Sequence, residues 1–360
     1  MAIKVQNLIS RILKVSRKTN TNVITVVLDY IRQKNRTKIT FSEYDHYKWP
    51  SQSKNFKDTF LPYNLAEVYW TILNPPKYAC LARDKYLSHL LLERQNIPTP
   101  KLYAYYNPEF GTFSTETCSA TYNGIIEILR NKNVSSFVIK PNVDSAHGQG
   151  VVVCHKFLIK DNEAYITRYD GSIIPLKSLL DRTPMLFEEV VRQNQQIGAL
   201  NVSSINTIRV MTALYPDGSV KLFAAFIKIG RAGSDVDNAG NGGNVDCGII
   251  PESGIFYNAL QFDSWDDVKH IEIHPDSKQQ LNNIQVEHWT EISAKLKEYQ
   301  SRIPQLKTIG WDVAITDDGP CIIEINNWWD TTGQLFIGRG WRKDVEECYS
   351  AWKNFYHNGN

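Results

Sequence analysis

The chain has 360 residues, of which 42% are hydrophobic and 22% charged, and these values are typical of globular proteins. These values exclude a disordered chain, a collagen-like repeat and a small disulfide scaffold. The length, at about 150 residues per domain, predicts two or three domains. The net charge of +2 conceals a division. Residues 1–40 hold nine basic and one acidic residue (+8), whereas the remainder holds 31 basic and 37 acidic residues (−6).

The first part of the chain is predicted to be helical. Apolar residues at helical spacing predict helices over 3–18 and 22–33, and five cations lie beside the apolar stripe of the first. Residues 40–63 are polar and aromatic and contain two prolines, which favours an extended connector. A further helix is predicted over 84–95, where Asp84 stands near the start and prolines follow the end.

Beyond residue 100, short strands and helices alternate without strict βαβ order, which predicts an α+β or mixed α/β fold. Apolar or β-branched runs predict strands at 101–106, 136–140, 151–154, 185–191, 207–214, 222–229, 308–315 and 321–325. Helices are predicted at 122–130 and 279–299, and the latter is the longest amphipathic pattern. A Gly-, Asn- and Asp-rich stretch at 232–248 is predicted to be a loop.

Neither a membrane span nor a secretory signal is visible in the sequence, because no apolar run approaches about 18–20 residues. The six cysteines are widely spaced, without a CxxC pair or zinc-ligand spacing. We therefore expect reduced, mostly buried thiols in a cytoplasmic protein.

A glycine loop follows the strand that ends at Lys140. It contains Ser145, His147, Gly148 and Gly150, and the backbone of such a loop can approach a phosphate closely while a lysine adds positive charge. The alternative is an ordinary hairpin connection. The loop is not a P-loop, because no Gly-Lys-Ser or Gly-Lys-Thr follows.

Two carboxylates, Glu188 and Glu189, end the apolar strand before Val191. One interpretation is a strand edge that reaches solvent. The other is a hinge whose backbone meets the edge of an adenine while a carboxylate binds the ribose hydroxyls. The residues alone do not decide between them.

Arg209 lies within an apolar strand. An unpaired arginine is costly to bury, so this side chain either points outward or meets an anion. The guanidinium fork matches two oxygens of a phosphate, which makes a phosphate contact the functional alternative.

The strongest pattern joins Asp312 on one strand to Glu324 and Asn326 on the next. In a hairpin the two carboxylates can face each other, and Asn326 follows on the same strand face. Three oxygen donors would then converge, as Mg²⁺ prefers. The alternative is an acidic hairpin face in solvent, but the apolar flanking residues weaken it.

In this order the pieces resemble the ATP-grasp superfamily over about residues 80–345. The matching residues are Asp84-Lys85 with Asn96–Pro100, Lys140, the loop Ser145–Gly150, Glu188-Glu189, Arg209, Asp312, Glu324 and Asn326. The chain is most similar to the sugar-transfer-associated group found near surface-polysaccharide genes. The residues that carry this similarity are Ile205–Val210, Asp235–Asn238, Gly242-Gly243 and Ile309–Val313. It departs from typical ligases in a short hinge and in the Trp328-Trp329-Asp330 run after the metal motif.

The resemblance implies an α+β ATP-grasp fold, in which two subdomains grip ATP between antiparallel sheets. We expect residues 1–80 to form a basic helical extension with a connector. Residues 81–190 would form the amino-terminal part with its glycine-loop lid. Residues 191–360 would form the catalytic part, with the metal site and a carboxy-terminal helix.

The implied activity is that of a carboxylate–amine (or thiol) ligase that forms an amide through an acyl phosphate, using ATP and one or two Mg²⁺ ions, with Mn²⁺ as an alternative. By resemblance, Lys85 and Lys140 hold the α- and β-phosphates, and the glycine loop closes over the β- and γ-phosphates. Glu188, Glu189 and Val191 form the hinge, and Arg209 stabilises the γ-phosphoryl oxygens.

Candidates for substrate binding follow. Lys228 and Arg231 are expected to bind the carboxylate, and Asn238, Gly242 and Gly243 lie in the candidate acceptor loop, whose alternative is a solvated loop. Trp328 and Trp329 are candidates for a sugar platform or for core aromatics.

The expected substrates are a sugar acid or amino acid, with a sugar nucleotide or lipid-linked glycan as possible partners in surface-polysaccharide synthesis. The competing functions are an ATP-grasp phosphotransferase acting on a hydroxyl and a non-catalytic nucleotide-binding protein. Nucleic-acid binding is not expected, because the basic excess is confined to one terminal segment. The helix at 3–18 either contacts the anionic inner leaflet of the membrane or packs on the body.

Overall fold

The computed structural model describes residues 2–143, 149–160, 163–180, 182–234, 237, 244–264 and 267–358, with side chains from residue 8 onward. Its α-helices are α1 (Ala2–Lys18), α2 (Val23–Thr37), α3 (Phe41–His46), α4 (Lys54–Thr59), α5 (Tyr63–Leu73), α6 (Cys80–Arg83), α7 (Lys85–Arg94), α8 (Tyr122–Asn131), α9 (Gln195–Gly198), α10 (Trp289–Arg302), α11 (Gly333–Phe336) and α12 (Arg342–Asn358).

The strands form three sheets. They are β1 (Leu102–Tyr106), β2 (Cys118–Ser119), β3 (Phe137–Pro141), β4 (Val152–Cys154), β5 (Lys156–Lys160), β6 (Glu163–Thr167), β7 (Ile173–Pro175), β8 (Met185–Glu188), β9 (Thr207–Leu214), β10 (Val220–Ile229), β11 (Asn244–Ile249), β12 (Phe256–Ser264), β13 (Asp267–His270), β14 (Thr308–Thr316) and β15 (Gly319–Asn326). The orders are β2-β1-β8-β3-β4, β5-β6-β7 and β13-β12-β11-β10-β9-β14-β15. Apart from the parallel β1–β2 pair, these neighbours run antiparallel, which confirms the α+β prediction.

The predicted extended connector at 40–63 is wrong, because this region contains α3, α4 and the start of α5. The Thr40 hydroxyl and the Glu43 carboxylate cap each other's backbone N–H groups at the start of α3, and Ser53 caps α4. The aromatic residues of the region pack together with Val15 of α1 and Val26 of α2 in one hydrophobic cluster.

Helix α1 presents two faces. Val15 is buried in the amino-terminal cluster, whereas Leu8, Ile9 and Leu13 are exposed. Within the described part of the chain, none of the helices combines the length and the apolar character needed to cross a membrane. Contact of this segment with a membrane surface stays a prediction.

Helix α7 begins where the sequence predicts it. The Asp84 carboxylate accepts a hydrogen bond from the Leu87 N–H at 2.9 Å and so caps the first turn. The two N–H groups before that of Leu87 bond to Asn142. The Lys85 N–H donates to the Asn142 backbone carbonyl at 3.1 Å, and the Tyr86 N–H donates to the Asn142 side-chain oxygen at 2.8 Å. These bonds fix the start of α7 beside the end of β3, which brings Lys85 close to Lys140.

Two other predictions need correction. The helix predicted at 279–299 begins only at Trp289. Asn283 and His288 adopt left-handed backbone conformations, which interrupt a helix, and the Ile284 carbonyl accepts a hydrogen bond from the Phe256 N–H. The loop predicted at 232–248 ends in strand β11, which pairs with both β10 and β12.

The large sheet has two different faces. Ile208, Val210 and Ile227 belong to an apolar cluster that also contains Leu296 of helix α10. Because side chains alternate along a strand, Arg209 and the residues level with it point to the opposite face. That face carries the polar residues described next.

Candidate nucleotide and acceptor site

A cavity of about 1050 Å³ is lined by residues of the five-stranded and the seven-stranded sheets. Its volume lies at the upper end of the range of roughly 300–1,000 Å³ that is usual for ligand pockets. A cavity of this size suits a ligand as large as a nucleotide.

One wall of the cavity is a row of side chains set by strand register. Arg209 on β9 lies between Phe226 on β10 and Asp312 on β14, and Asp312 lies opposite Glu324 on β15. Side chains at paired positions point to the same face of an antiparallel sheet. The predicted hairpin thus brings Asp312 and Glu324 together beside Arg209.

The centre of this row is a buried charged group. The Arg209 guanidinium donates two hydrogen bonds to Asp312, Nε to Oδ1 at 2.7 Å and Nη2 to Oδ2 at 2.8 Å. The Lys228 ammonium lies 3.2 Å from Asp312 Oδ1. Burial opposes the charge of Asp312, but these two cations outweigh it and hold the pKa of that carboxyl well below its usual value. Arg209 is therefore paired as its buried position requires.

Both candidate phosphate-binding lysines contact strand β15, and Lys140 also contacts β8. The Lys85 ammonium lies 3.3 Å from Glu324 Oε1, and the Lys140 ammonium lies 2.6 Å from Glu188 Oε2. Lys140 also donates to the Ile323 carbonyl at 3.4 Å. The structure thus gathers the predicted lysines and carboxylates of both halves of the site on one cavity.

The other end of the cavity is apolar. Val138 and Val153 are cross-strand partners on β3 and β4, and both line this end with Val191. The backbone N–H of Glu189 donates to the Lys101 carbonyl at 2.9 Å, which holds the end of β8, and its exposed side chain borders the cavity. This slot between valines is flanked by a carboxylate and a lysine.

The predicted metal ligands fit a hard cation. Asp312 and Glu324 contribute carboxylates, and the Asn326 amide nitrogen Nδ2 donates to Asp312 Oδ2 at 3.5 Å, so this side chain would bind a metal through its other amide atom, Oδ1. Oxygen donors of this kind suit Mg²⁺, which takes few protein ligands and keeps positions for phosphate oxygens and water. In the described ranges no three His, Cys, Asp or Glu side chains could hold a metal by themselves, and this set instead adds an amide to two carboxylates.

Part of the predicted glycine loop lies outside the described residues, namely Ser145, His147 and Gly148. Gly150 is described, with φ of +76°. A Cβ atom there would lie 2.8 Å from Pro141 Cγ, so this position requires glycine both for its backbone conformation and for its close approach to β3.

Of the predicted acceptor residues, the two that the structure describes, Lys228 and Arg231, are placed differently. Asn238, Gly242 and Gly243 lie outside the described residues, and Lys228 lines the cavity. Arg231 is not among the described residues that line the cavity. Its guanidinium instead donates hydrogen bonds to the two carboxylate oxygens of Asp276 at 2.7 and 3.0 Å. A carboxylate-binding role for Arg231 stays a prediction.

The two consecutive tryptophans differ in role. Trp329 is buried in the core, with Phe223 and Trp341 against its ring. Trp328 is 38% exposed, lines the cavity and stacks on Trp70 at an interplanar angle of 13°. Only Trp328 is placed where it can meet a ligand.

Sequence reasoning missed two buried acids of the cavity wall, Asp237 and Asp246. Asp246 stands in the sequence Asn244-Val-Asp-Cys-Gly-Ile249, which could have been identified as a strand by its alternating apolar residues. The glycines and asparagines before it favoured a loop instead.

The sequence-family comparison decides the family. The model of the sugar-transfer associated ATP-grasp family matches residues 64–349, well over half of the chain. The chain belongs to this family. The predicted membership of the ATP-grasp superfamily and of its sugar-transfer-associated group is thereby confirmed. A search of the curated proteins gave no match.

Solved structures of ATP-grasp ligases are similar at low identity. D-alanine–D-alanine ligase from Helicobacter pylori is 14% identical, with a TM-score of 0.42, over 81% of this chain and 67% of that chain. D-alanyl-alanine synthetase A from Vibrio cholerae is 12% identical, with a TM-score of 0.41, over 78% of this chain and 68% of the other. An N5-carboxyaminoimidazole ribonucleotide synthetase in complex with ADP is 13% identical, with a TM-score of 0.39. The match covers 76% of this chain but only 52% of that enzyme, so the chain spans about half its length.

Proposed function

We propose that this protein is an ATP-dependent carboxylate–amine ligase that forms an amide through an acyl phosphate. The observation that carries the proposal is the single cavity that joins a valine-lined slot to four cations, Lys85, Lys140, Arg209 and Lys228, and to the Asp312 carboxylate. Its volume of about 1050 Å³ suits a ligand as large as a nucleotide.

The nucleotide is oriented by the two ends of the cavity. The valine slot takes the purine base, and the Glu189 carboxylate beside it is placed for the ribose hydroxyls. Lys85 and Lys140 bind the α- and β-phosphates by exchanging their carboxylate partners, 3.3 and 2.6 Å away, for phosphate oxygens. Asp312, Glu324 and Asn326 would hold Mg²⁺, which supplies neutralisation of phosphate charge.

The reaction then needs little acid–base chemistry. A carboxylate oxygen of the donor attacks the γ-phosphorus and ADP leaves, which gives an acyl phosphate. The amine, after its ammonium form has lost a proton to water, next bonds through nitrogen to the carbonyl carbon. The bond between that carbon and the phosphate oxygen breaks with its electron pair, and the departing phosphate takes up the proton that the new amide nitrogen releases. Arg209 and Lys228 stand beside the transferring group, so positioning and electrostatics supply most of the rate gain.

The substrate class follows from the family and from one aromatic side chain. The family description associates its members with sugar transfer. Trp328 offers a partly exposed ring, held by the Trp70 stack and by Arg83 at 4.7 Å on its face. We propose a sugar acid or an amino acid of surface-polysaccharide synthesis as substrate, with this ring as the sugar platform.

The test is release of ADP and inorganic phosphate by purified protein with ATP, Mg²⁺ and pairs drawn from uronic acids, amino acids and amino sugars. A ligase releases both products and forms an amide that mass spectrometry detects. Asp312→Asn and Lys140→Met should abolish release, whereas Asp170→Asn, in an exposed turn, should leave it unchanged.

Other outcomes overturn the proposal. A stable phosphorylated product without free phosphate would indicate a phosphotransferase. Tight ATP binding without ADP release across the whole panel would indicate a non-catalytic nucleotide-binding protein. Unchanged release by both Asp312→Asn and Lys140→Met would show that the chemistry lies elsewhere.

A further inference from the structure

Asp246 is a buried acid of the cavity wall that the nucleotide does not use. It lies on β11, opposite Lys228 on β10 and Leu260 on β12. Its relative exposure is 0%, yet it lines the cavity. Within the part of the chain that the structure describes, neither of its carboxylate oxygens has a hydrogen-bond partner.

A buried carboxylate without hydrogen-bond partners lowers the stability of the fold. Burying an ionised group without partners is strongly unfavourable, and native proteins rarely leave such groups unsatisfied. Burial raises the pKa of Asp246 well above its usual value, and Lys228 opposes this rise. The nearest cation is already engaged, since Lys228 lies 3.2 Å from Asp312. The position is explained if a ligand supplies the missing partner.

The neighbouring acid is not in the same condition. Asp237 accepts hydrogen bonds from the N–H and the hydroxyl of Thr207, at 2.7 and 2.5 Å on the same oxygen. It therefore anchors the start of β9, whereas both oxygens of Asp246 are buried without a hydrogen-bond partner among the described residues.

The walls around Asp246 are aromatic. Phe226 lies two residues from Lys228 on the same face of β10, and it packs edge-to-face on Phe336 of α11 at 5.1 Å. Both rings line the cavity. A carboxylate beside aromatic rings suits an organic cation, because the ammonium group meets the negative charge and its carbon atoms meet the rings.

The position also suits the second substrate. Lys228 lies opposite Asp246, and Arg209 lies opposite Phe226, so Asp246 is one register step along the sheet from the row that holds Arg209 and Asp312. A group bound at Asp246 would therefore share one face of the sheet with Arg209 and Asp312, with β10 and β9 between β11 and β14.

We propose that Asp246 is the binding site for the ammonium group of the acceptor, on the cavity wall that also carries the rings of Phe226 and Phe336. The inference rests on the proposed ligase function and deepens it, because it makes the acceptor a primary amine that enters the cavity as a cation. Asp237 contributes charge at longer range.

Binding can be tested without turnover. Thermal unfolding of the protein with ADP and Mg²⁺ is measured with ethylammonium chloride, and with tetramethylammonium chloride and sodium chloride at equal ionic strength. Ethylammonium in excess should raise the Tm of wild type by about 1–3 °C over both controls. Tetramethylammonium has no N–H donor, so it tests whether hydrogen bonds to the carboxylate matter.

The diagnostic variant is Asp246→Asn, which keeps the shape and a hydrogen-bonding group but removes the charge. The ethylammonium shift should disappear in Asp246→Asn and persist in Asp330→Asn, which removes a different, exposed carboxylate that also lines the cavity. Asp246→Ala gives the same test if the first variant does not fold. An equal shift in wild type and in the Asp246 variants would overturn the inference.

Turnover gives a second readout. With an amine acceptor found by the ADP-release screen, Asp246→Asn should raise the KM for the amine by about tenfold or more, equal to about 1.4 kcal/mol, and leave the KM for ATP within about twofold. A shift lost in Asp246→Asn without any ADP release would support the ammonium site and refute the ligase. ADP release with an unchanged amine KM in the variant would refute the site and support the ligase.

Discussion

The pairing of Arg209 with Asp312 predicts a large and specific loss of stability in Arg209→Met. Methionine keeps most of the side-chain volume but leaves a carboxylate that is 9% exposed without its main partner. Removing one member of a buried ion pair costs about 3–5 kcal/mol of unfolding free energy. Because Lys228 stays 3.2 Å from the same carboxylate, we expect the lower end, about 3 kcal/mol.

The chain contains a matched control. Arg231 binds Asp276 in the same forked manner, also with an Nε–O distance of 2.7 Å, but these side chains are 27% and 26% exposed. Water screens such a pair, and a pair of this kind is worth about 0.2–1 kcal/mol. Arg231→Met should therefore lose at most about 1 kcal/mol of unfolding free energy. Geometry is shared between the two pairs, so the difference isolates burial.

The loss in Arg209→Met should also depend on pH. In wild type, the pKa of Asp312 is held below the unfolded value of about 3.9, so its stabilising contribution is complete above that value and is lost only in strong acid. Without Arg209, the pKa of the buried carboxyl rises, and the variant recovers stability by binding a proton as the pH falls. The difference between wild type and variant should therefore be largest near neutral pH and shrink toward about pH 4.5.

Urea unfolding followed by tryptophan fluorescence, at both pH values, measures these differences. Equal losses in Arg209→Met and Arg231→Met would refute the argument from burial. A loss in Arg209→Met that stays constant with pH would refute the argument that Asp312 takes up a proton.

Three further predictions concern the nucleotide, the packing under the site and the tryptophan pair. Lys140→Met should weaken the binding of ADP, measured by calorimetry, by about tenfold or more, since one charge-assisted contact is worth roughly 1.5–3 kcal/mol. The control is Lys132→Met, because the Lys132 ammonium donates to the Tyr103 carbonyl, and this variant should leave ADP binding unchanged. Gly333→Ala should cost about 1–3 kcal/mol of unfolding free energy, because the new Cβ would meet the Phe226 ring and lie 2.9 Å from Trp341. In contrast, Gly198→Ala, with its nearest contact at 3.8 Å, should be neutral or stabilising in the same denaturation assay. Trp329→Ala should cost about 3–5 kcal/mol, whereas Trp328→Ala should cost much less and alter the KM for the acceptor, so comparable losses would contradict the division between core and platform.

Much of the site could be predicted because it lies on strands with clear alternation. Val313 and Ile315 alternate with Asp312 along β14, and this pattern places the acid on one face only. The hairpin turn pairs Val313 with Ile322, and a register shift between Asp312 and Val313 then places Asp312 opposite Glu324. The hairpin itself followed from residues close together in the sequence, whereas this shift has no signal in the sequence pattern.

Other elements could not be predicted because their signals depend on tertiary contacts. The aromatic segment at 40–63 has little helical periodicity, and α3 and α4 form because capping side chains and a shared hydrophobic cluster stabilise very short helices. Conversely, residues 279–288 carry helical periodicity, but Gln280 and Gln285 form isolated bridges with Ile273 and Ile255, and Asn283 and Ile284 bond to Phe256 at the start of β12. Periodicity reports which residues are buried, and tertiary packing decides the backbone that buries them.

Asp246, which we propose as the ammonium site, could not be predicted for the same reason. Asp246 follows a stretch rich in glycine and asparagine, so the local composition indicated a loop, and an acid in a loop is expected to be solvated. Its significance comes from β11, where pairing with β10 and β12 buries it opposite Lys228. A buried acid on the same sheet face as Arg209 and Asp312 cannot be solvated, so it must bind a cation or take up a proton. The sheet thereby turns an acid that the local composition assigns to a loop into one that, among the described residues, is buried without a hydrogen-bond partner, and for this acid we propose an ammonium ligand.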